Sequence, residues 1–252
     1  MAHIICIANQ KGGVGKTTTA INLAAALAVS EKPTLLVDCD PQGNATTGIG
    51  IDKSAVSLNL YHGMIGEAPV EALIMDTEIP SLKTIPALVE LIGFEVEMME
   101  FDGRESVLKN LLAGIAGDFE YIIIDSPPSL SLLTVNAMTA ANKLLIPLQC
   151  EFYALEGIGQ LMQTMELIKN NLNPDLEVGG ILLTMFDKRT NLSYQVADEA
   201  EKHFNNLVFN TIVPRNVRLS EAPSFGKPIL LYDATSAGAT SYFELAREIM
   251  SQ

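Results

Sequence analysis

Residues 11–18 read Lys11-Gly12-Gly13-Val14-Gly15-Lys16-Thr17-Thr18, set between an apolar run, His3–Ala8, and an alanine-rich stretch of helical character, Thr17–Val29. Strand, glycine turn and helix N-terminus in that order build a phosphate cradle. Backbone N–H groups of the turn and of the first helical turn converge on an anion, and the helix dipole adds favourable charge. Lys16 then reaches the terminal phosphates and the Thr17 hydroxyl is placed to ligate Mg²⁺. The ordinary phosphate-loop pattern has glycine five residues before Gly15, where this chain has Gln10. The stretch matches instead a variant with a second lysine, Lys11, at the start of the loop. Lys16 already neutralises the anion from within, so Lys11 needs a separate purpose. Charge grows on the oxygens of a phosphoryl group in transfer, and a cation inserted by a partner subunit stabilises it.

Outward from the loop, apolar segments alternate with helical patterns in a βα rhythm. Strands are expected at His3–Ala8, Thr34–Val37, Lys83–Ile85, Tyr121–Ile124, Leu144–Leu148, Gly180–Thr184 and Val208–Val213. Helical stretches fall at Leu88–Glu97, Ser106–Ala116, Thr134–Ala141, Leu155–Asn170, Tyr194–Phe204 and Ser241–Met250. No linker, repeat or low-complexity block divides the chain. The pattern predicts one α/β domain over residues 1–252: a phosphate-loop fold with a twisted, mainly parallel sheet flanked by helices on both faces. In such sheets ligands sit at the carboxyl ends of the strands, where the glycine loop lies.

Hydrophobic residues make up 48% of the 252 and the mean hydropathy is +0.25, values that suit strands buried on both faces. No run approaches the roughly 18 apolar residues of a membrane span, and the N-terminus does not read as a secretion signal. Cys6, Cys39 and Cys150 are odd in number and lack a CxxC spacing, which points to a reducing cytoplasm and away from a cluster or zinc site. The net charge of −14 argues against a nucleic-acid partner. Its distribution softens that: residues 188–227 hold six basic against four acidic side chains, a local balance of +2, leaving −16 for the rest.

Two strands end in acids. Leu35-Leu36-Val37 runs into Asp38-Cys39-Asp40-Pro41-Gln42-Gly43-Asn44, where two carboxylates spaced two apart point the same way, toward the phosphate crevice. The proline and glycine mark a loop able to move with the bound state. Tyr121-Ile122-Ile123-Ile124 ends in Asp125-Ser126-Pro127-Pro128-Ser129, an arrangement in which a carboxylate holds Mg²⁺, usually through water.

The run KGGVGKTTTAINLAAALA, residues 11–28, resembles the deviant-Walker ATPases of the ParA/Soj/MinD group. The segments Asp38–Asn44 and Asp125–Leu130, Pro147–Gly157 and Pro214–Ser224 extend the resemblance over nearly the whole chain, the last two favouring the Soj branch. The resemblance implies that ATP and Mg²⁺ bind across Lys11, Gly12, Gly13, Val14, Gly15, Lys16, Thr17 and Thr18, with Thr17 and Asp125 at the metal. It implies that Lys11 crosses to the neighbouring subunit's nucleotide in an ATP-state homodimer. Asp40 matches the residue that orients or activates the attacking water, and Asp38 reads as a supporting, magnesium-side or purely structural carboxylate. Pro214 and Asn216 match the positions that line the adenine pocket, with Thr184–Asp187 expected beside them. Arg189 and Arg218 match arginines of Soj-like members that bind DNA non-specifically, their other reading being solvated or interfacial ion pairs.

The implied function is a partitioning ATPase: cytoplasmic, nucleoid-associated, stimulated by a ParB/Spo0J-like partner, and moving chromosome, plasmid or a protein cargo. The first strand starts at His3, so the N-terminal operator-binding extension of larger plasmid relatives is expected to be absent. A MinD-like membrane-positioning ATPase requires a basic amphipathic C-terminal helix, whereas Glu244–Gln252 is short and not basic, so no membrane partner is expected. An electron-transfer ATPase like the nitrogenase iron protein requires bridging cysteines that Cys6 and Cys39 do not supply.

Overall fold

The computed structural model describes residues 2–151 and 156–252. In chain order the strands and helices are β1 (His3–Ile7), α1 (Lys16–Val29), β2 (Thr34–Asp38), α2 (Asn44–Gly48), α3 (Leu60–Met64) and β3 (Met75–Asp76). There follow β4 (Leu82–Ile85), α4 (Leu91–Glu97), α5 (Val107–Ala113), β5 (Tyr121–Asp125), α6 (Leu132–Ala140) and β6 (Lys143–Gln149). The remainder is α7 (Glu156–Asn171), β7 (Glu177–Phe186), α8 (Asn191–Phe204), β8 (Val208–Pro214), α9 (Val217–Glu221), α10 (Ile229–Tyr232) and α11 (Ala237–Met250). All seven expected strands are present, several a residue or more longer. The two-residue β3 and the short helices α2, α3, α9 and α10 have too few residues to show a period. Of the Soj-like stretch 147–157, residues 152–155 lie outside the described residues, as does the first residue of the helix expected from Leu155.

The sheet order is β3-β4-β2-β5-β1-β6-β7-β8. Every neighbouring pair is parallel except β3 with β4. Alternation along the strands sends side chains into two separate cores. Cys6, Leu35, Val37, Ile122, Ile124, Leu144 and Ile146 face one layer, with residues of α3 to α8. Ile5, Ile7, Leu36, Ile123, Leu145 and Leu182 face the other, with α1, α2, α10 and α11.

Helix α1 is buried nearly all round because its alanines, Ala20 and Ala24–Ala26, let the sheet and α11 approach closely. Tyr242 of α11 is the largest fully buried side chain, and its hydroxyl lies 3.2 Å from Thr19 Oγ1 of α1. Truncating such a ring costs about 3–5 kcal/mol, so the helix that follows the glycine loop is firmly seated.

Chain connections leave β1 in one direction, through α1 to β2, while β5 crosses over β1 through α6 to reach β6. That reversal opens a crevice at the carboxyl ends of β1, β2 and β5. Pro147 stands in the interior strand β6, where a missing N–H normally costs a ladder bond. Here β1 pairs only as far as Leu145, so the absent N–H of Pro147 faces the side β1 has left. Its carbonyl instead accepts from Asn9 Nδ2 at 2.7 Å.

Candidate active site

The loop between β1 and α1 holds its shape through two left-handed glycines, Gly13 at φ 76° and Gly15 at φ 92°. A side chain at either is strained whatever space surrounds it. Gly15 caps α1 without any side-chain hydrogen bond, so the first N–H groups of the helix turn into the cradle unclaimed by a side-chain cap. Three tethers fix the loop. Asn9 Oδ1 accepts from Lys11 N at 3.0 Å while its amide reaches Pro147, and Thr184 Oγ1 donates to the Val14 carbonyl at 2.9 Å. Lys16 Nζ donates to the Lys11 carbonyl at 3.1 Å, and the residue as a whole is 6% exposed. Burial lowers the Lys16 pKa, opposed by the charges of Asp125 and Asp40. A cation held dry beside carboxylates is poised for a more highly charged anion.

Asp38 and Asp125 are register partners at the ends of β2 and β5. They behave differently. Asp38 is saturated by the protein: Oδ2 accepts from Thr46 N and Thr46 Oγ1, each at 2.7 Å, and Oδ1 accepts from Asp40 N at 3.2 Å. Burial raises its pKa to about 6 in spite of these bonds. Asp38 is therefore the buttress of the loop that follows, the structural side of its sequence reading. Asp125 is fully buried and neither oxygen has a hydrogen-bond partner. Burial first, and Asp38 second, raise its pKa well above the usual range; the nearby Thr17 hydroxyl favours the ionised form without closing a well-formed bond. An orphaned buried carboxylate beside a hydroxyl fits a hydrated Mg²⁺. Among the described residues no cluster of three His, Cys, Asp or Glu could hold a metal by itself, as suits an ion that keeps water and phosphate oxygens among its ligands.

This orphan carries a prediction. Asp125→Asn removes a charge that burial disfavours, worth about 1 kcal/mol or more, so the nucleotide-free protein melts about 2–4 °C higher. The gain in nucleotide affinity on adding Mg²⁺ falls about tenfold. Calorimetric melting and titrations with and without Mg²⁺ measure the two effects; a lower melting point with an intact Mg²⁺ increment removes Asp125 from the metal.

Asp40 lies in the loop after β2, where its Oδ1 accepts from Gln42 N at 2.9 Å. Gly43 turns that loop at φ 59°, and a Cβ there would stand 2.5 Å from the Ala87 carbonyl. Lys53 Nζ donates to the Gln42 carbonyl at 2.6 Å and closes the turn. Asp40 thereby faces a 370 Å³ cavity that it lines with Gly12, Gly13, Gly15, Lys16, Thr17 and Thr18. A second cavity of 430 Å³ adjoins it, lined among others by Pro214, Asn216, Thr184 and Met185, and the two share Gly15, Thr18 and Met185. Asn216 caps α9 by accepting from Arg218 N at 2.8 Å through Oδ1, which leaves its amide donors for a ligand. Met185 holds φ 51°, a left-handed backbone uncommon for such a residue, at the junction of the two spaces. The geometry is a glycine-loop cradle continuous with a second pocket.

A family model described as an AAA domain matches residues 2–178. The chain is 55% identical to the chromosome partitioning protein ParA of Myxococcus xanthus, covering 100% of this chain and 89% of the relative. It is 53% identical to the sporulation initiation inhibitor protein Soj of Bacillus subtilis, covering 99% and 98%. The chain belongs to the ParA/Soj family of partitioning ATPases. Its fold also matches the crystal structure of cobyrinic acid a,c-diamide synthase from Mycobacterium smegmatis with bound ADP and magnesium, at TM-score 0.86 and 36% identity over 98% of this chain and 93% of that one.

Within the ParA/Soj chain the remaining sequence-derived residues sit apart from the cradle's interior. Lys11 Nζ lies 3.8 Å from Glu151 Oε2, both side chains close to half exposed. A long, exposed pair of this kind contributes about 0–1 kcal/mol, so it holds Lys11 only loosely. Arg189, 84% exposed at its side chain, pairs bidentately with Asp187 through Nε at 2.9 Å and Nη2 at 2.7 Å, and this pairing holds the Asp187 carboxyl well below its usual range. Arg218 meets Glu221 at 2.9 Å and Asp233 at 3.5 Å. The window 188–227, whose balance is +2, stops just short of Asp187 and Asp233. The basic face expected from sequence is thus largely compensated by carboxylates on either side of it. All three cysteines are free and buried, with Cys150 pushed up to about 12 by burial; their thiols stay protonated in the core.

Proposed function

We propose that this chain binds Mg-ATP across the two adjoining cavities and pairs with a second copy in the ATP state. In that state Lys11 completes the neighbour's site, and hydrolysis is accelerated by a ParB/Spo0J-like protein. The cycle serves to partition chromosome or plasmid DNA at the nucleoid. The observation that carries this reading is the sharing of Gly15, Thr18 and Met185 between the cradle and the pocket of Pro214 and Asn216, with the orphaned Asp125 beside Thr17. Bound Mg²⁺ supplies charge neutralisation at the phosphates. Lys16 and the loop N–H groups hold and orient the anion, Thr17 and Asp125 are the metal's protein-side ligands, and Asp40 positions the water. Lys11, released from Glu151 at little cost, is the residue with reach and charge to spare.

Size exclusion with a non-hydrolysable ATP analogue tests the dimer. The wild-type chain is expected to shift to twice its mass, whereas Lys11→Ala binds the analogue and stays monomeric. A Lys11→Ala chain that dimerises normally removes the cross-subunit role.

For DNA, each subunit contributes two compensated arginines, so binding rests on a dimer that doubles them and on their exchange of carboxylate for phosphate. Arg189→Ala with Arg218→Ala is expected to weaken ATP-dependent retention of random duplex by about tenfold at low salt and to flatten its salt dependence. Dimerisation stays unchanged. Equal retention across a salt series returns both arginines to ion pairing alone.

The membrane-positioning alternative gains no support. Among the described residues no helix is long and apolar enough to cross a membrane. The apolar side of α11 is spent on the core through Tyr242, Leu245 and Ala246.

A further inference from the structure

Helix α4 is apolar on two opposite sides. Leu91 and Phe94 turn inward and are fully buried, with Met98 packed against the same core. At about 100° per residue, Ile92 and Val96 fall about 40° apart on the other side, and Val89 and Met99 stand in the turns just before and after the helix. Each of these four is more than half exposed, and so is Phe101 just beyond them. The inward stripe accounts for the helix's place in the fold; the outward one covers nothing among the described residues. Two turns of helix, about 10 Å long, with the flanking turns make it a short ridge.

Its rim is acidic. Between residues 88 and 106 stand Glu90, Glu95, Glu97, Glu100, Asp102 and Glu105 against Arg104 alone. Glu97 accepts from the Tyr61 hydroxyl at 2.7 Å and Glu105 pairs with Arg104 at 3.3 Å, while Glu90, Glu100 and Asp102 stand exposed. That charge selects the occupant. A second copy would bring the same carboxylates face to face, and nucleic acid or an anionic lipid surface would be repelled in the same way.

We propose that the α4 ridge docks a basic amphipathic helix from another protein. Its apolar side chains, at helical spacing, would lie on Val89, Ile92, Val96 and Met99, and its lysines or arginines would reach the acidic rim. The ridge is wired to the site at both ends. Ala87, just before the helix, donates its N–H to Thr46 Oγ1 at 2.9 Å, and that hydroxyl donates to Asp38 Oδ2 at 2.7 Å. Glu95 accepts from Leu133 N at 3.4 Å, at the start of the helix that follows Asp125. A helix seated here presses on the element whose inner side holds the supports of both carboxylate loops. Assigning it to the stimulating partner rests on the ATPase reading above; the docking does not.

The test is fluorescence anisotropy with the full chain and no nucleotide. The probe is a labelled synthetic helix of leucines and lysines at helical spacing, compared with a scrambled peptide of the same composition and with a glutamate-for-lysine version. Saturable binding of the lysine helix alone is expected, weakened about tenfold or more by Val96→Lys combined with Glu100→Lys. Both positions are exposed, and circular dichroism melting confirms that the variant folds. Equal binding by the variant, or equal binding by the scrambled peptide, overturns the proposal. So does a variant that loses analogue-induced dimerisation while still binding the lysine helix, because the ridge then belongs to the contact between copies. The readout needs no turnover: a catalytically silent chain can still bind the helix, and an active one can fail to.

Discussion

Lys16→Ala abolishes nucleotide binding while leaving the fold intact. Lys16 as a whole residue is 6% exposed, and its amine is held to the Lys11 carbonyl at 3.1 Å. A bond between ammonium and phosphate in this cavity is charge-assisted and worth about 3 kcal/mol. Since 1.4 kcal/mol is tenfold in affinity, the loss is about a hundredfold or more. The folded state gives up one hydrogen bond to a backbone carbonyl and is relieved of a cation whose pKa burial lowers. The two changes oppose each other, so the melting temperature of the nucleotide-free protein moves by no more than about 2–4 °C. Titration with a fluorescent ATP analogue reads the first quantity and calorimetry the second. Wild-type affinity in the variant would remove the phosphate role from this loop, and collapse of the fold would make Lys16 a structural residue instead.

What the sequence made legible, and what it did not, follows the range of the interactions involved. The glycine loop, α1 and the apolar strands are local patterns, and parallel strands buried on both faces announce themselves as continuous apolar runs. The acids closing β2 and β5 lie side by side at the strand ends, but Asp38 turns onto Thr46 instead of toward the phosphate cavity as its spacing from Asp40 suggests. Their division of labour was not visible, because it depends on Thr46 saturating Asp38 while Asp125 meets no donor. Asn9 escaped notice for a similar reason: its partner, Pro147, is 138 residues away, and nothing in the string Ala8-Asn9-Gln10 signals a tether. Counting charge along the window 188–227 leaves out Asp187 and Asp233, which lie outside it and pair with Arg189 and Arg218. The second stripe of α4 was hidden by the first. The mixture of apolar and acidic residues from Leu88 to Glu97 reads as one helix, and only burial separates the inward side chains from the outward ones.

Asp40→Ala uncouples hydrolysis from binding. Asp40 belongs to the rim of the phosphate cavity, not to its floor. It is 7% exposed, it lines the same space as Lys16 and Thr17, and its Oδ1 accepts from Gln42 N at 2.9 Å. A carboxylate that positions or deprotonates the attacking water typically contributes 10²–10⁴-fold, so turnover is expected to fall by about that factor, while the nucleotide Kd changes less than about threefold. The substitution also removes a cap on the turn at Gly43, which costs about 1 kcal/mol. Asp40→Asn separates the two contributions: its side-chain carbonyl still accepts from Gln42 N, yet it cannot take a proton. Equal losses in the two variants assign the effect to the missing carboxylate, whereas recovery in Asp40→Asn assigns it to loop geometry. Single-turnover phosphate release, run beside equilibrium nucleotide binding, distinguishes these outcomes. Turnover within about twofold of wild type in both variants would strip Asp40 of its role in the reaction. Where hydrolysis alone is lost, the ATP-bound form accumulates, and the size-exclusion shift proposed for the dimer persists with ATP itself instead of requiring an uncleavable analogue.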